Sequence, residues 1–133
     1  MIGSNKPMSM NVFFIDFVNF NAELTKQFLA DKGINAVYFS EFKDMQQIDK
    51  TIIPTVLVYN VDLKKDDVSW FYKMKTLHQG KPIIVLSSPK YISSARKLVN
   101  EGGFLSLRTP LNMEELYNII LRAKEFSEKK VTT

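Results

Sequence analysis

Five short runs dense in Val, Ile, Leu and Phe recur along the chain, each followed by a longer mixed segment: VFFID from Val12, INAVYF from Ile34, PTVLVYN from Pro54, PIIVLS from Pro82 and FLSL from Phe104. Runs this short are too brief for helices, and their near-continuous apolar character suits strands buried on both faces. The segments between them follow a different period. NAELTKQFLADKG from Asn21 sets Leu24, Phe28 and Leu29 on one helical face before Gly33 supplies a stop. DVSWFYKMKTLHQG from Asp67 turns Val68, Phe71 and Met74 inward and ends at Gly80. FKDMQQIDK from Phe42 is a short, weakly amphipathic helix.

After the fourth run, Ser88 and Pro89 have the form of a helix cap and first helical position, with Ile92, Ala95 and Val99 on a common face until Gly102 and Gly103 break the pattern. In the last segment Asn112 and Glu115 have capping-box spacing, Leu111 and Leu116 can staple the start, and Leu116, Ile119, Ile120 and Ala123 form a buried stripe. His78, near a helix end, is expected at the surface or as a complement to the helix dipole.

Strictly alternating strands and helices imply an α/β fold: a doubly wound parallel sheet of five strands with helices on both faces, since each parallel crossover needs a helix and is right-handed. For this number of elements the expected strand order is 2-1-3-4-5, the flavodoxin-like arrangement, whose crevice lies at the carboxyl ends of strands one and three. Those ends are Asp16 and Asn60. Residues 1–10 lack periodicity and are expected as a flexible leader, 11–127 as the domain, and 128–133 as a frayed tail.

Composition narrows the chemistry. With 133 residues the chain suits one core. It has no cysteine and one histidine, which excludes disulfides, thiolate metal sites and multi-histidine centres. No stretch approaches the roughly 20 apolar residues of a membrane span, and the N-terminus lacks a signal-peptide core, so a cytoplasmic location is expected. The net charge is +4, but the lysines lie scattered among acids with no basic stripe interleaved with aromatics, so no direct nucleic-acid partner and no membrane partner are expected.

From about Asn11 to about Ser127 the chain resembles a response-regulator receiver (CheY-like) domain. The matching landmarks are Ile15-Asp16-Phe17, Tyr59-Asn60, Leu86-Ser87-Ser88 and Arg108-Thr109-Pro110. In that family strand one ends in an acidic pair, strand three in the phosphorylated aspartate, strand four in Thr or Ser, and strand five in Lys-Pro. The resemblance makes Asp16, Phe17, Asn60, Ser87 and Thr109 a degenerate phosphorylation site: Phe17 replaces the acid that ligates magnesium directly, Asn60 replaces the phosphoacceptor, and Thr109 replaces the lysine. An amide nitrogen with a delocalised lone pair cannot form an acyl phosphate as a carboxylate does. Asp16 alone makes a weak magnesium site, so no cofactor is expected and magnesium should bind weakly or not at all. Nothing remains to neutralise a transferred phosphoryl group.

The resemblance therefore implies an atypical pseudo-receiver of a bacterial two-component-like system, not an enzyme, acting through protein-protein contacts. In the family, helix four, strand five and helix five meet a partner or a second copy; here that face offers Lys90, Tyr91, Arg96, Lys97, Ser106, Arg108, Tyr117 and Arg122. Ser106 also stands where the family's switching aromatic would be. Two alternatives stay open: phosphoryl transfer to Asp62, which shares strand parity with Asn60 but needs a register slip of two, and small-ligand sensing in the crevice.

Overall fold

The computed structural model describes residues 10–15, 22–61, 69–109 and 112–132. The elements are β1 (Met10–Ile15), α1 (Ala22–Ala30), β2 (Ile34–Phe39), α2 (Phe42–Gln46), β3 (Val56–Asn60), α3 (Ser69–Leu77), β4 (Ile83–Ser87), α4 (Ile92–Asn100), β5 (Leu105–Arg108) and α5 (Met113–Thr132), with a 3-10 turn at Pro89–Tyr91 leading into α4. The strands form one parallel sheet in the order β2-β1-β3-β4-β5. This is the flavodoxin-like (CheY-like) order expected from the sequence.

Each strand's side chains alternate between two cores. Val12 and Phe14 of β1, Val56 and Val58 of β3, and Ile84 and Leu86 of β4 meet Leu29 of α1 and Leu116, Ile119, Ile120 and Ala123 of α5. Their neighbours Phe13, Ile15, Leu57, Tyr59, Ile83 and Val85 face the opposite way, onto Met45 of α2, Phe71 and Met74 of α3, and Ala95 and Leu98 of α4. The stripes expected on α3 and α5 are thus the buried ones, apart from Val68, which lies outside the described residues.

Helix α1 departs from its expected face. Ala22, Thr25 and Leu29 are buried, Phe28 is partly so, and Leu24 is 64% exposed. Leu24 stands five residues before Leu29, about 140° around the helix, so the two cannot share a stripe. On α4 the buried pair is Ala95 and Leu98, with Ile92 and Val99 flanking it.

The helix ends show which turn chemistry held. Gly33 and Gly80 take φ of 81° and 82°, the left-handed conformation that stops a helix cheaply only with glycine. A Cβ on Gly103 would approach Val99 Cα to 3.1 Å and the Leu98 carbonyl oxygen to 3.2 Å, so this glycine lets the end of α4 press against the entry to β5. The Glu115 N–H donates to Asn112 Oδ1 at 3.0 Å, half of the expected capping box. Ser88 occupies its cap position but makes no side-chain cap hydrogen bond, and a 3-10 turn intervenes before α4. The tail expected to fray from residue 128 instead continues α5 to Thr132, with Lys124 and Glu128 paired at 2.8 Å one turn apart.

A polar clamp fixes one edge of the sheet. Asn11 and Asn35 are register partners on β1 and β2; Asn35 Nδ2 donates to Asn11 Oδ1 at 3.0 Å, and Asn11 Nδ2 donates to the Ile53 carbonyl at 3.2 Å. The Thr55 N–H reaches the Asn11 carbonyl at 2.8 Å, so one residue ties three successive strands at their amino ends.

His78 is not the exposed dipole complement expected from its position. It is half-buried, its ring meets Phe13 edge-on at 5.7 Å between centroids, and Nε2 is buried without a hydrogen-bond partner. Desolvation, reinforced by Lys81 and Lys50, holds its pKa below the ordinary 6.5. At the end of α4, Lys75 Nζ donates to the Glu101 carbonyl.

Two outcomes are expected in unfolding experiments. Phe71→Ala should lower the unfolding free energy by about 3–5 kcal/mol, whereas Leu24→Ala should change it by less than about 0.5 kcal/mol, both read by urea titration. The second concerns pH: the unfolded chain protonates His78 near its ordinary value while the folded chain resists. Stability is therefore full above that value and declines as pH falls below about 6.5; the slope should be shallower in His78→Gln.

Candidate functional site

The carboxyl edge of the sheet is built by strand ends held in register. Ile15 pairs with Tyr59 across β1 and β3, Asn60 with Leu86 across β3 and β4, and Ser87 with Arg108 across β4 and β5. Adjacent strands lie about 4.8 Å apart, so Asn60, Ser87 and Thr109 stand in a row along one edge. The Thr109 N–H donates to the Ser87 carbonyl at 2.9 Å, which extends the β4-β5 ladder one residue past the end of β5 and fixes the backbone of both residues.

Burial differs along the row. Ser87 is 2% exposed, Asn60 and Thr109 are half-buried, and Tyr59 behind Asn60 is fully buried against Phe71, ring centroids 6.1 Å apart. Val61 is buried immediately beyond the strand, which anchors the end of β3 from both sides of Asn60. Asp16, Phe17 and Asp62 lie outside the described residues. Three of the five expected crevice residues are therefore brought together, and the described part of the crevice contributes an amide and two hydroxyls without a carboxylate. Among the described residues no group of three His, Cys, Asp or Glu side chains could hold a metal ion.

The residues expected on the partner face divide into three sets. Lys90, Arg96, Lys97, Arg108 and Arg122 are exposed, and among the described residues none of them pairs with a carboxylate; the ion pairs there are Lys26–Glu23, Lys43–Glu41 and Lys124–Glu128. Tyr91 is half-buried, with Lys90 Nζ 5.6 Å from its ring centre, and Ser106 is half-buried on β5 opposite Val85. Tyr117 falls elsewhere. It packs into the α1-α5 core, and Lys32 lies 5.2 Å over its ring. Five residues separate Tyr117 from Arg122, about 140° of helix, so only one of them can front β5.

The fold has counterparts among solved structures. NtrX from Brucella abortus, determined in complex with ADP, superposes with a TM-score of 0.82 at 18% identity over 94% of this chain, which spans only 28% of that protein. A response regulator receiver domain protein from Clostridium thermocellum matches with a TM-score of 0.76 at 19% identity over 93% of this chain and 99% of its own. A CheY-like receiver domain protein from Methanospirillum hungatei matches with a TM-score of 0.77 at 16% identity over 91% and 98% of the two chains. No protein-family model matches the sequence, and no curated protein matches it either. With likeness confined to three-dimensional structure at such identities, what is shared is the fold: this chain has the five-stranded, doubly wound fold of response-regulator receiver domains.

Proposed function

We propose that the chain is a pseudo-receiver: a cytoplasmic module of a bacterial two-component-like signalling system that works by binding a protein and not by accepting a phosphoryl group or catalysing a reaction. The observation that carries this reading is Asn60. It occupies the carboxyl end of β3, in register with the end of β4, where an aspartyl phosphate would have to form. An amide there offers no nucleophile, and Thr109 beyond β5 offers no cation to neutralise transferred charge.

Without a charge change in the crevice, phosphorylation supplies no free energy to shift one conformation over another. Signalling then rests on recognition of a surface. The five exposed cations on α4, β5, α5 and the turn before α4 make that surface suited to a partner bearing carboxylates, and Tyr91 supplies an aromatic contact within it.

Intact-mass spectrometry and amide NMR spectra before and after acetyl phosphate, or beryllofluoride with magnesium, test the phosphotransfer half of the reading. The expected result is no added mass and no movement of the Asn60, Ser87 and Thr109 signals; a phosphate mapped to Asp62 would overturn it. For the binding half, Arg96→Glu and Arg122→Glu should each weaken partner capture by roughly tenfold, as loss of about 1.4 kcal/mol implies. As surface changes they should leave unfolding free energy within about 0.5 kcal/mol. Full retention of the partner by both variants would remove this face from consideration.

A further inference from the structure

The amino-terminal edge of the sheet, opposite the crevice, holds a cleft of about 460 Å³ between the end of α3, the loops entering β4 and β5, and the flank of α5. Its size lies within the range of about 300–1,000 Å³ usual for small-molecule sites. Lys75, His78 and Lys81 line one part of it, Gly102 and Phe104 another, and Phe126 stands at the mouth. Among the described residues no acidic side chain lines it.

Two observations point to a ligand. Neither Lys75 nor Lys81 pairs with a carboxylate among the described residues. Lys75 is held in place by the Glu101 carbonyl and by the Phe71 ring, 5.9 Å from its Nζ, yet an ammonium has three protons and this carbonyl uses one. Finally, Phe104 and Phe126 pair at 5.3 Å between centroids although Phe126 remains 52% exposed, leaving an aromatic surface open at the mouth.

The carboxyl ends of α3 and α4 converge on the same edge and oppose an anion with about half a negative charge each. The two lysines bring a full positive charge apiece, so the local balance stays positive. We propose that this cleft binds a small aromatic anion: a planar ring against the Phe104–Phe126 pair, and a carboxylate or phosphate held by Lys75 and Lys81. Gly102 fits this arrangement. Its φ of 124° favours glycine, and the missing Cβ leaves room for the end of the Lys75 side chain beside the cleft. The site is independent of the proposed function, because it lies at the other end of every strand.

Titration of the isotopically labelled full chain by amide NMR, with AMP and benzoate as probes, tests the site. Either probe should shift the Gly80, Lys81, Gly102, Gly103 and Phe104 signals saturably while Asn60 and Ser87 stay still. Adenosine, which has the ring without the charge, and inorganic phosphate, which has the charge without the ring, should bind roughly tenfold more weakly or worse. Lys81→Gln and Phe126→Ala should each weaken AMP or benzoate by a similar factor while leaving the remaining spectrum in place. Absence of saturable shifts at these amides, equal binding of phosphate and AMP, or unchanged affinity in both variants would overturn the proposal.

Discussion

Everything in the molecule is referred to β1, whose backbone pairs on both sides and whose side chains cross to both cores. Phe13 and Phe14 are neighbours that point in opposite directions: Phe13 meets Phe39 edge-on at 5.1 Å, while Phe14 stacks on Tyr38 at 4.6 Å. With β1 flanked by β2 and β3, the chain must first cross one face and then return over the other. That places α1 and α5 together and α2, α3 and α4 opposite them. The Asn11–Asn35 amide pair fixes this arrangement in register; a slip of one residue would send every core side chain of β2 to the wrong face.

The two edges of the sheet consequently differ in chemistry. At the carboxyl edge the row of Asn60, Ser87 and Thr109 is polar and uncharged, and the hydrogen bond from Thr109 to Ser87 closes the ladder beside it. At the amino edge helix ends converge, and Lys75 donates to the Glu101 carbonyl at the end of α4. The usual seat of chemistry in such folds lies at the first edge; the unmet polar demand among the described residues, at His78 Nε2, lies at the second.

Much of the architecture was legible because its signals are local. Short Val- and Ile-rich runs cannot be helices, Gly33 and Gly80 mark stops through their backbone freedom, and Asn112 announces the start of α5 three residues before the amide it binds. The crevice residues of β3 and β4 were readable for the same reason, since strand ends are where apolar runs stop. Local pattern misleads where two faces of a helix compete. Hydrophobicity points Leu24 inward, while the smaller Ala22 and Thr25 fit the close approach of α1 to the sheet. Tyr117 and Arg122 share α5, but about 140° of rotation about its axis sets Tyr117 against α1 and leaves Arg122 exposed.

The sequence by itself determined the alternation of strand and helix, the parallel sheet, the helix stops, and the amide at the end of β3, because each depends on residue type and spacing within a few positions. Only the tertiary structure decided that His78 is half-buried beside Phe13, that Lys75 serves the end of α4, and that Phe104 and Phe126 meet at the mouth of a cleft. Those contacts join residues far apart in the chain, and no local period encodes which distant surfaces a helix will finally press against.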